Sequence, residues 1–292
     1  MPELPEVETT VRVLKPKVLK RTFVDVWTDA PKLIKKPESL SEFKKRIKNK
    51  KIKEIYRKGK NIIFELSEGL SLLIHQKLTG HLLIGKWTFK NGKWIAPSGP
   101  LSEKMNRFLH LVFTLDNGQM LALSDLRKFA KVELWKTEKL KNSSTIKNLG
   151  PDPLEKTFNF SKFKKIILSK KGKIKQVLMD QTVIAGIGNI YSDEALWRAK
   201  IHPFKDISKL KEKELKELYK NIREVLKKAI ELQGESISDY RTPTGKKGRF
   251  DRFRKVYRRE GEKCSRCGAT IKRTKLGGRS THFCPRCQLL TR

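Results

Sequence analysis

The chain has 292 residues, with 67 Lys plus Arg against 31 Asp plus Glu, a formal net charge of +36. That length favours two or more domains over a single core, and no apolar run approaches the ~20 residues of a membrane span. So large a positive excess repels itself unless an anion binds, so nucleic acid is the expected partner, with a merely solvated Lys-rich surface as the plainer alternative.

The chain opens "MPELPEVETTV". Glu3, Glu6 and Glu8, with no basic stretch, argue against a secretory leader. Pro5 suits a first helical turn, and Glu6 and Glu8 suit its positive end. Val7, Val11, Leu14 and Val18 recur at helical spacing and predict one buried stripe. From Thr22 to Leu134 the pattern changes to short runs: "TFVDVWT", "KIKEIY", "NIIFEL", "LSLLIH", "HLLIGKW", "HLVFTLD", "MLALSD" and "KVELW". Turn signals such as "LDNGQ" separate them, which predicts a sandwich or barrel. "LGPDP" at 149–153 punctuates the chain. Beyond it "SKFKKIILSK", "KIKQVLMDQ", "NIYSDEALWRAK" and "LKEKELKELYKNIREVLKKAIEL" read as helices. The Gly-rich, basic stretch 234–255 reads as a flexible loop.

All four cysteines fall at the end of the chain as Cys264, Cys267, Cys284 and Cys287. Two close pairs separated by sixteen residues fit a tetrahedral zinc template in a reducing compartment better than disulfides. Four thiolates close the shell, so the expectation is one structural Zn2+ with no open catalytic position. Gly268, Gly277 and Gly278 supply turns. The basic residues around them, Arg279 included, suit a nucleic-acid finger.

The start "PELPEVE", the central "QTVIAGIGNIYSDEALWRAKIHP" and the terminal "GGRSTHFCPRCQ" together resemble the formamidopyrimidine-DNA glycosylase family. "KGKNIIF", "HQKLTG", "DLRKF" and "LGPDP" follow the family's order of landmarks, nearly end to end. The resemblance implies an α+β multidomain protein. Residues 1–148 would form an N-terminal β-sandwich with flanking helices. Residues 149–255 would form a helical domain with a helix–two-turns–helix motif and a lesion-recognition loop, and residues 256–292 the zinc finger. It implies an enzyme that removes 8-oxoguanine and formamidopyrimidines from double-stranded DNA and nicks the resulting abasic site, acting as a monomer in the bacterial cytoplasm. An endonuclease VIII-like enzyme for oxidised pyrimidines, or a non-enzymatic zinc-ribbon nucleic-acid binder, are the alternatives.

Residue by residue, the resemblance makes Pro2 the nucleophile. With Met1 removed, Pro2 presents a secondary amine titrating near ~8, well below a lysine, able to attack the sugar. Glu3 is the paired acid and base, and Glu6 supports the site. Lys60 in "RKGKNIIF" matches the lysine beside the lesion and joins the catalytic set. His75, Lys175, Asn189 and Arg279 are DNA-binding candidates. Gly186 and Gly188 beside Asn189 would let backbone approach a phosphate. An attacked base must leave the stack. Leu78, Arg127 and Phe129 match the triad that fills the gap, although the family usually has Met where this chain has Leu78. Ser236, Tyr240 and Thr242 could contact the flipped base.

Overall fold

The computed structural model describes residues 1–237 and 239–290. Ser238, within the expected loop, lies outside the described residues. Two compact units are present, residues 1–147 with 232–251, and residues 148–231 with 252–292.

The first unit begins with α1 (Leu4–Val18), β1 (Phe23–Thr28), β2 (Ile34–Lys36), α2 (Leu40–Ile47), β3 (Ile52–Lys58), β4 (Asn61–Leu66) and β5 (Leu70–His75). It continues through β6 (His81–Gly85), β7 (Thr88–Lys90), β8 (Lys93–Ile95), β9 (Leu109–Leu115), β10 (Met120–Ser124) and β11 (Lys131–Lys136) to the short helices α3 (Thr137–Lys141) and α4 (Ser144–Lys147). One sheet has the order β1-β9-β10-β6 and is antiparallel. The other has the order β2-β11-β5-β4-β3, antiparallel except for the β2–β11 pair. Strand residues alternate faces, so Phe64, Leu72, Ile74 and Val132 of one sheet and Leu82, Leu111, Phe113 and Leu123 of the other share a single core. Val7, Val11, Leu14 and Val18 of α1 join it, as their spacing predicts. Each such fully buried aliphatic or aromatic side chain contributes about 1.5–3 kcal/mol.

All eight predicted strands form. Three short ones, β2, β7 and β8, and helix α2 have no counterpart among them. The β7–β8 hairpin turns on Asn91–Gly92, both at positive φ, which is the strongest short hairpin signal a sequence carries.

The second unit holds α5 (Phe160–Leu168), α6 (Ile174–Met179), α7 (Asn189–Arg198), α8 (Glu212–Glu231) and the β12 (Lys272–Leu276)–β13 (Arg279–Phe283) hairpin. The four predicted helical stretches correspond to α5 through α8. The hairpin turn is Gly277–Gly278, at φ 55° and 73°. Two consecutive left-handed residues are cheap only for glycine, and they match the twist of the strands they join.

The stretch expected to be a flexible loop of the helical domain differs from that expectation. Residues 232–251 pack with the sandwich unit. Arg241 forms a two-pronged ion pair with Glu103 at 2.6 and 2.8 Å. Asn106 donates to Gly245 O at 3.0 Å, and Ile84 N–H donates to Pro243 O at 2.9 Å. Ser236, Tyr240 and Thr242 are buried. Ser236 Oγ donates to Tyr240 O and accepts from Gly248 N–H. Composition signals flexibility, but it carries no record of partners more than a hundred residues away.

Candidate active site and nucleic-acid interface

In the sandwich unit, Pro2 is buried and Met1 is 44% exposed. Glu3 caps α1 and forms a capping box with Glu6, so the opening residues are architecture as well as candidate chemistry. Glu6 Oε2 accepts the Glu3 N–H at 2.7 Å, and Glu6 Oε1 accepts the Glu235 N–H at 2.8 Å. Tyr240 Oη donates to Glu6 O at 3.2 Å. Glu6 therefore ties the helix start to the 234–240 segment. Gly234 permits this: at φ +85° a Cβ there would lie 2.8 Å from Glu6 Oε1. Burial, then the Glu6 charge, pushes the Tyr240 hydroxyl far above the usual tyrosine range, so it stays a donor.

The terminal amine, that of Met1 beside Pro2, lies within the electrostatic reach of Glu3, Glu6, Asp239 and Lys60. Burial lowers its pKa below 8.0; Glu3, Glu6 and Asp239 oppose that shift, and Lys60 adds to it. Lys60 is buried, in the two-residue turn between β3 and β4. His75 ends β5, and its Nδ1 accepts the Lys77 N–H at 3.0 Å. Burial and the charges of Lys77, Lys60 and Lys131 push its pKa down to about 3. His75 is thus a neutral imidazole at physiological pH, available as a hydrogen-bond group but not as a cation.

Leu78 is half-buried, while Arg127 and Phe129 are exposed. The Arg127 guanidinium lies 4.6 Å from the Phe129 ring centroid, a contact worth about 0.5–1 kcal/mol at an exposed site. Asp125, which carried no role in the sequence reading, organises all three. It is fully buried. Its Oδ1 accepts from Thr79 Oγ1, the neighbour of Leu78, and from Arg127 N–H at 3.3 Å. Its Oδ2 accepts the Ala130 N–H at 2.8 Å. The only sequence signal was an Asp opening "DLRKF".

In the helical unit, Asn189 begins α7, and Arg279 follows the hairpin turn. Both line one polar cavity of about 700 Å3, together with Arg258 and Arg273. Lys175 is enclosed. It was expected at a DNA strand but is 1% exposed. Its Nζ pairs with Asp193 at 2.7 Å and donates to Ser280 O and Thr281 Oγ1, each at 2.9 Å. An ammonium enclosed in this way is held by its carboxylate because a buried charge must be matched. Asp193 also accepts the His282 N–H at 2.9 Å. The next residue, Glu194, is equally buried and accepts the N–H groups of Lys255, Val256 and Tyr257 at 2.9–3.0 Å. "SDE" within α7 reads as a polar helix face in sequence, yet these two acids hold the finger to the helix.

The four cysteine sulfurs lie within 4.8 Å of one another. Cys264–Cys287 and Cys267–Cys284 Sγ separations are 3.9 and 3.4 Å. Tetrahedral zinc with ~2.3 Å bonds needs sulfurs about 3.8 Å apart, so the set fits one Zn2+. Burial and the three neighbouring sulfurs push the Cys287 thiol up to about 12. A divalent cation reverses that preference and holds the thiolates together.

A β-sandwich with a crowded terminal amine, together with a helical unit whose basic hairpin is stapled by four cysteines, defines a DNA-processing protein of the glycosylase class. Family models match along the chain: the formamidopyrimidine-DNA glycosylase N-terminal domain over residues 1–132, its H2TH domain over 149–241, and a zinc finger found in FPG and IleRS over 261–289. The formamidopyrimidine-DNA glycosylase of Pelotomaculum thermopropionicum is 42% identical, covering 99% of each chain. That of Ligilactobacillus salivarius is 38% identical, again over 99% of each. Crystal structures of the Lactococcus lactis enzyme are also similar. A complex of the wild-type enzyme with an N7-benzyl-Fapy-dG containing DNA matches at a TM-score of 0.86 and 35% identity. A complex with abasic-site DNA matches at 0.85 and 35%. Each covers 99% of this chain and 100% of the other. The chain belongs to the formamidopyrimidine-DNA glycosylase family. Among the described residues, no helix is long and apolar enough to cross a membrane.

Proposed function

We propose that this protein excises oxidised purines, 8-oxoguanine and formamidopyrimidines, from duplex DNA and then cleaves the strand at the abasic site. The observation that carries this reading is that Glu3, Glu6 and Lys60 act electrostatically on the Met1 amine, next in the chain to the buried Pro2. With Met1 removed, Pro2 nitrogen attacks C1′ of the damaged nucleotide. The bond to the base breaks, and the base departs with the electron pair and a proton. Glu3 protonates the sugar ring oxygen as the ring opens. The positive iminium that results acidifies the C2′ proton. Its removal expels the 3′ phosphate, and a second elimination expels the 5′ phosphate. Lys60 and His75 line the approach, Lys60 as a cation toward phosphate and His75 as a neutral hydrogen-bond group.

Leu78, Arg127 and Phe129 fill the space left by the flipped base, with Arg127 facing the orphaned partner. Asn189 and Arg279 hold backbone phosphates in their shared cavity, supported by the α7 N-terminus. One Zn2+ held by Cys264, Cys267, Cys284 and Cys287 is structural: it would fix the hairpin that presents Arg279. The bacterial relatives support action in the cytoplasm, on the nucleoid. Incision of duplexes carrying 8-oxoguanine or thymine glycol, with borohydride trapping in parallel, tests the assignment. Preferential cutting and trapping on 8-oxoguanine is expected. Preference for thymine glycol, or binding without trapping, would overturn it.

A further inference from the structure

The β7–β8 hairpin, with the sheet face beneath it, belongs to none of the machinery above, and its composition is costly for a solvent-facing element. Phe89 and Trp94 are a cross-strand pair with ring centroids 5.0 Å apart. Trp27 of β1 completes a three-ring cluster at 5.5 Å from each. Phe89 is nevertheless 45% exposed and Ile95 51% exposed. Lys90 and Lys93 stand directly opposite each other across the strands, a like-charge pairing that destabilises a hairpin. Lys86 is exposed just before it. Among the described residues, none of the three lysines has an acidic partner. Beside the cluster lies a cavity of about 620 Å3, walled in part by Trp27, Trp87, Trp94 and Phe108, within the size range of small-ligand sites.

Trp27 and Trp94 are half-buried, so water leaves two features unfavourable, the exposed Phe89 ring with the open part of Trp94, and the facing cations. A polyanion with accessible aromatic faces relieves both at once. Duplex DNA offers the charge, but its bases are already stacked on one another. A single strand offers phosphates and open base faces together, and stacking on a protein ring tolerates any base. We propose that the β7–β8 hairpin is a binding platform for single-stranded nucleic acid, with Phe89 and Trp94 stacking unpaired bases and Lys86, Lys90 and Lys93 on the adjoining phosphates. This site is separate from the lesion site and does not rest on the reading of it.

The test is fluorescence anisotropy with a twelve-residue oligothymidylate, and with inorganic polyphosphate of similar charge as a base-free control. Three proteins are compared, the full chain, Phe89→Ala, and Lys90→Glu combined with Lys93→Glu. Loss of one stacked base is expected to weaken oligothymidylate binding by about fivefold or more in Phe89→Ala, with polyphosphate binding unchanged. The double charge reversal should weaken both. Excision from damaged duplex should match the parent, because Phe89, Lys90 and Lys93 are not among the residues placed at the lesion; the thermal midpoint of Phe89→Ala should fall only slightly, by the loss of its two ring contacts. Equal oligothymidylate affinity in Phe89→Ala and parent would overturn the proposal. So would an equal loss for polyphosphate, or a concentration-dependent self-association that Phe89→Ala abolishes.

Discussion

Thr79 and Asp125, 46 residues apart in the chain, are joined by a hydrogen bond from Thr79 Oγ1 to a fully buried Asp125 Oδ1. The bond locks the turn carrying Leu78 to the loop carrying Arg127 and Phe129. Asp125 is therefore a positioning residue for the proposed gap-filling triad. Asp125→Asn replaces one acceptor oxygen with a donor facing the Thr79 and Arg127 donors or the Ala130 N–H. One unsatisfied buried group costs about 1–3 kcal/mol. Excision of 8-oxoguanine from duplex should fall about tenfold to a hundredfold, while nicking of a preformed abasic site, which needs no base flipped, should change far less. Equal loss on both substrates, in step with a lowered melting temperature, would reduce Asp125 to a purely structural role.

Pro2→Gly, or complete retention of Met1, should abolish excision and borohydride trapping while duplex binding persists. Retained Met1 converts the amine into an amide, which is not nucleophilic. Once Met1 is removed, the Pro2 amine belongs to the α-amino class, which titrates near ~8; its neutral, reactive fraction is lost as pH falls through that value. The acid limb of kcat/KM should lie near ~8 accordingly. His75, at about 3, should contribute no step between pH 5 and 9. Efficient trapping by protein shown by mass to keep Met1 would sink the amine assignment.

Removing Lys60 or Arg279 singly should flatten the slope of log affinity against log salt by roughly one unit each, because each cation on a phosphate releases counterions; removing the uncharged Asn189 should weaken binding and leave the slope unchanged. Glu3→Gln should keep or tighten binding, while excision falls by about a hundredfold or more. Affinity lost in proportion to activity would instead make Glu3 only the cap of α1, where it sits in any case. The titrations belong near physiological ionic strength, where the many other lysines substitute least.

Lys175→Ala separates burial from phosphate contact. It leaves Asp193 buried without its ammonium partner, with Oδ2 still bonded to His282, a loss of about 3–5 kcal/mol. The melting temperature should drop by several degrees, and the salt slope of DNA binding should stay at the parent value. A slope flattened by one unit in a protein of parental stability would return Lys175 to the phosphate contacts.

Cys264→Ser should lose zinc, disorder the β12–β13 hairpin and weaken DNA binding, since a structural metal is part of the folding free energy. The sandwich core, which includes none of the four cysteines, should persist by near-UV circular dichroism. Unchanged affinity for damaged duplex in a metal-free variant would show the finger to be dispensable.

Local chemistry made much of this protein legible in its residues. The stripe from Val7 to Val18 sets the buried face of α1, alternation sets eight strands, and paired cysteines set a metal site, because each pattern is a short-range periodicity or spacing. The ordered motifs pointed to Pro2, Glu3 and Lys60; of these, Glu3 and Lys60 act electrostatically on the Met1 amine beside Pro2. Tertiary structure alone decided the rest, and for one reason: burial and partnership depend on residues distant in sequence. Lys175 looks like any of the many lysines until Asp193, the Ser280 carbonyl and the Thr281 hydroxyl enclose it. Asp125 is one acid in a short motif until Thr79 arrives from 46 residues away. The 232–251 segment reads as mobile until Glu6, Asn106 and Glu103 take hold of it, since charge–charge and hydrogen-bond anchors of that kind leave no periodic trace in the chain.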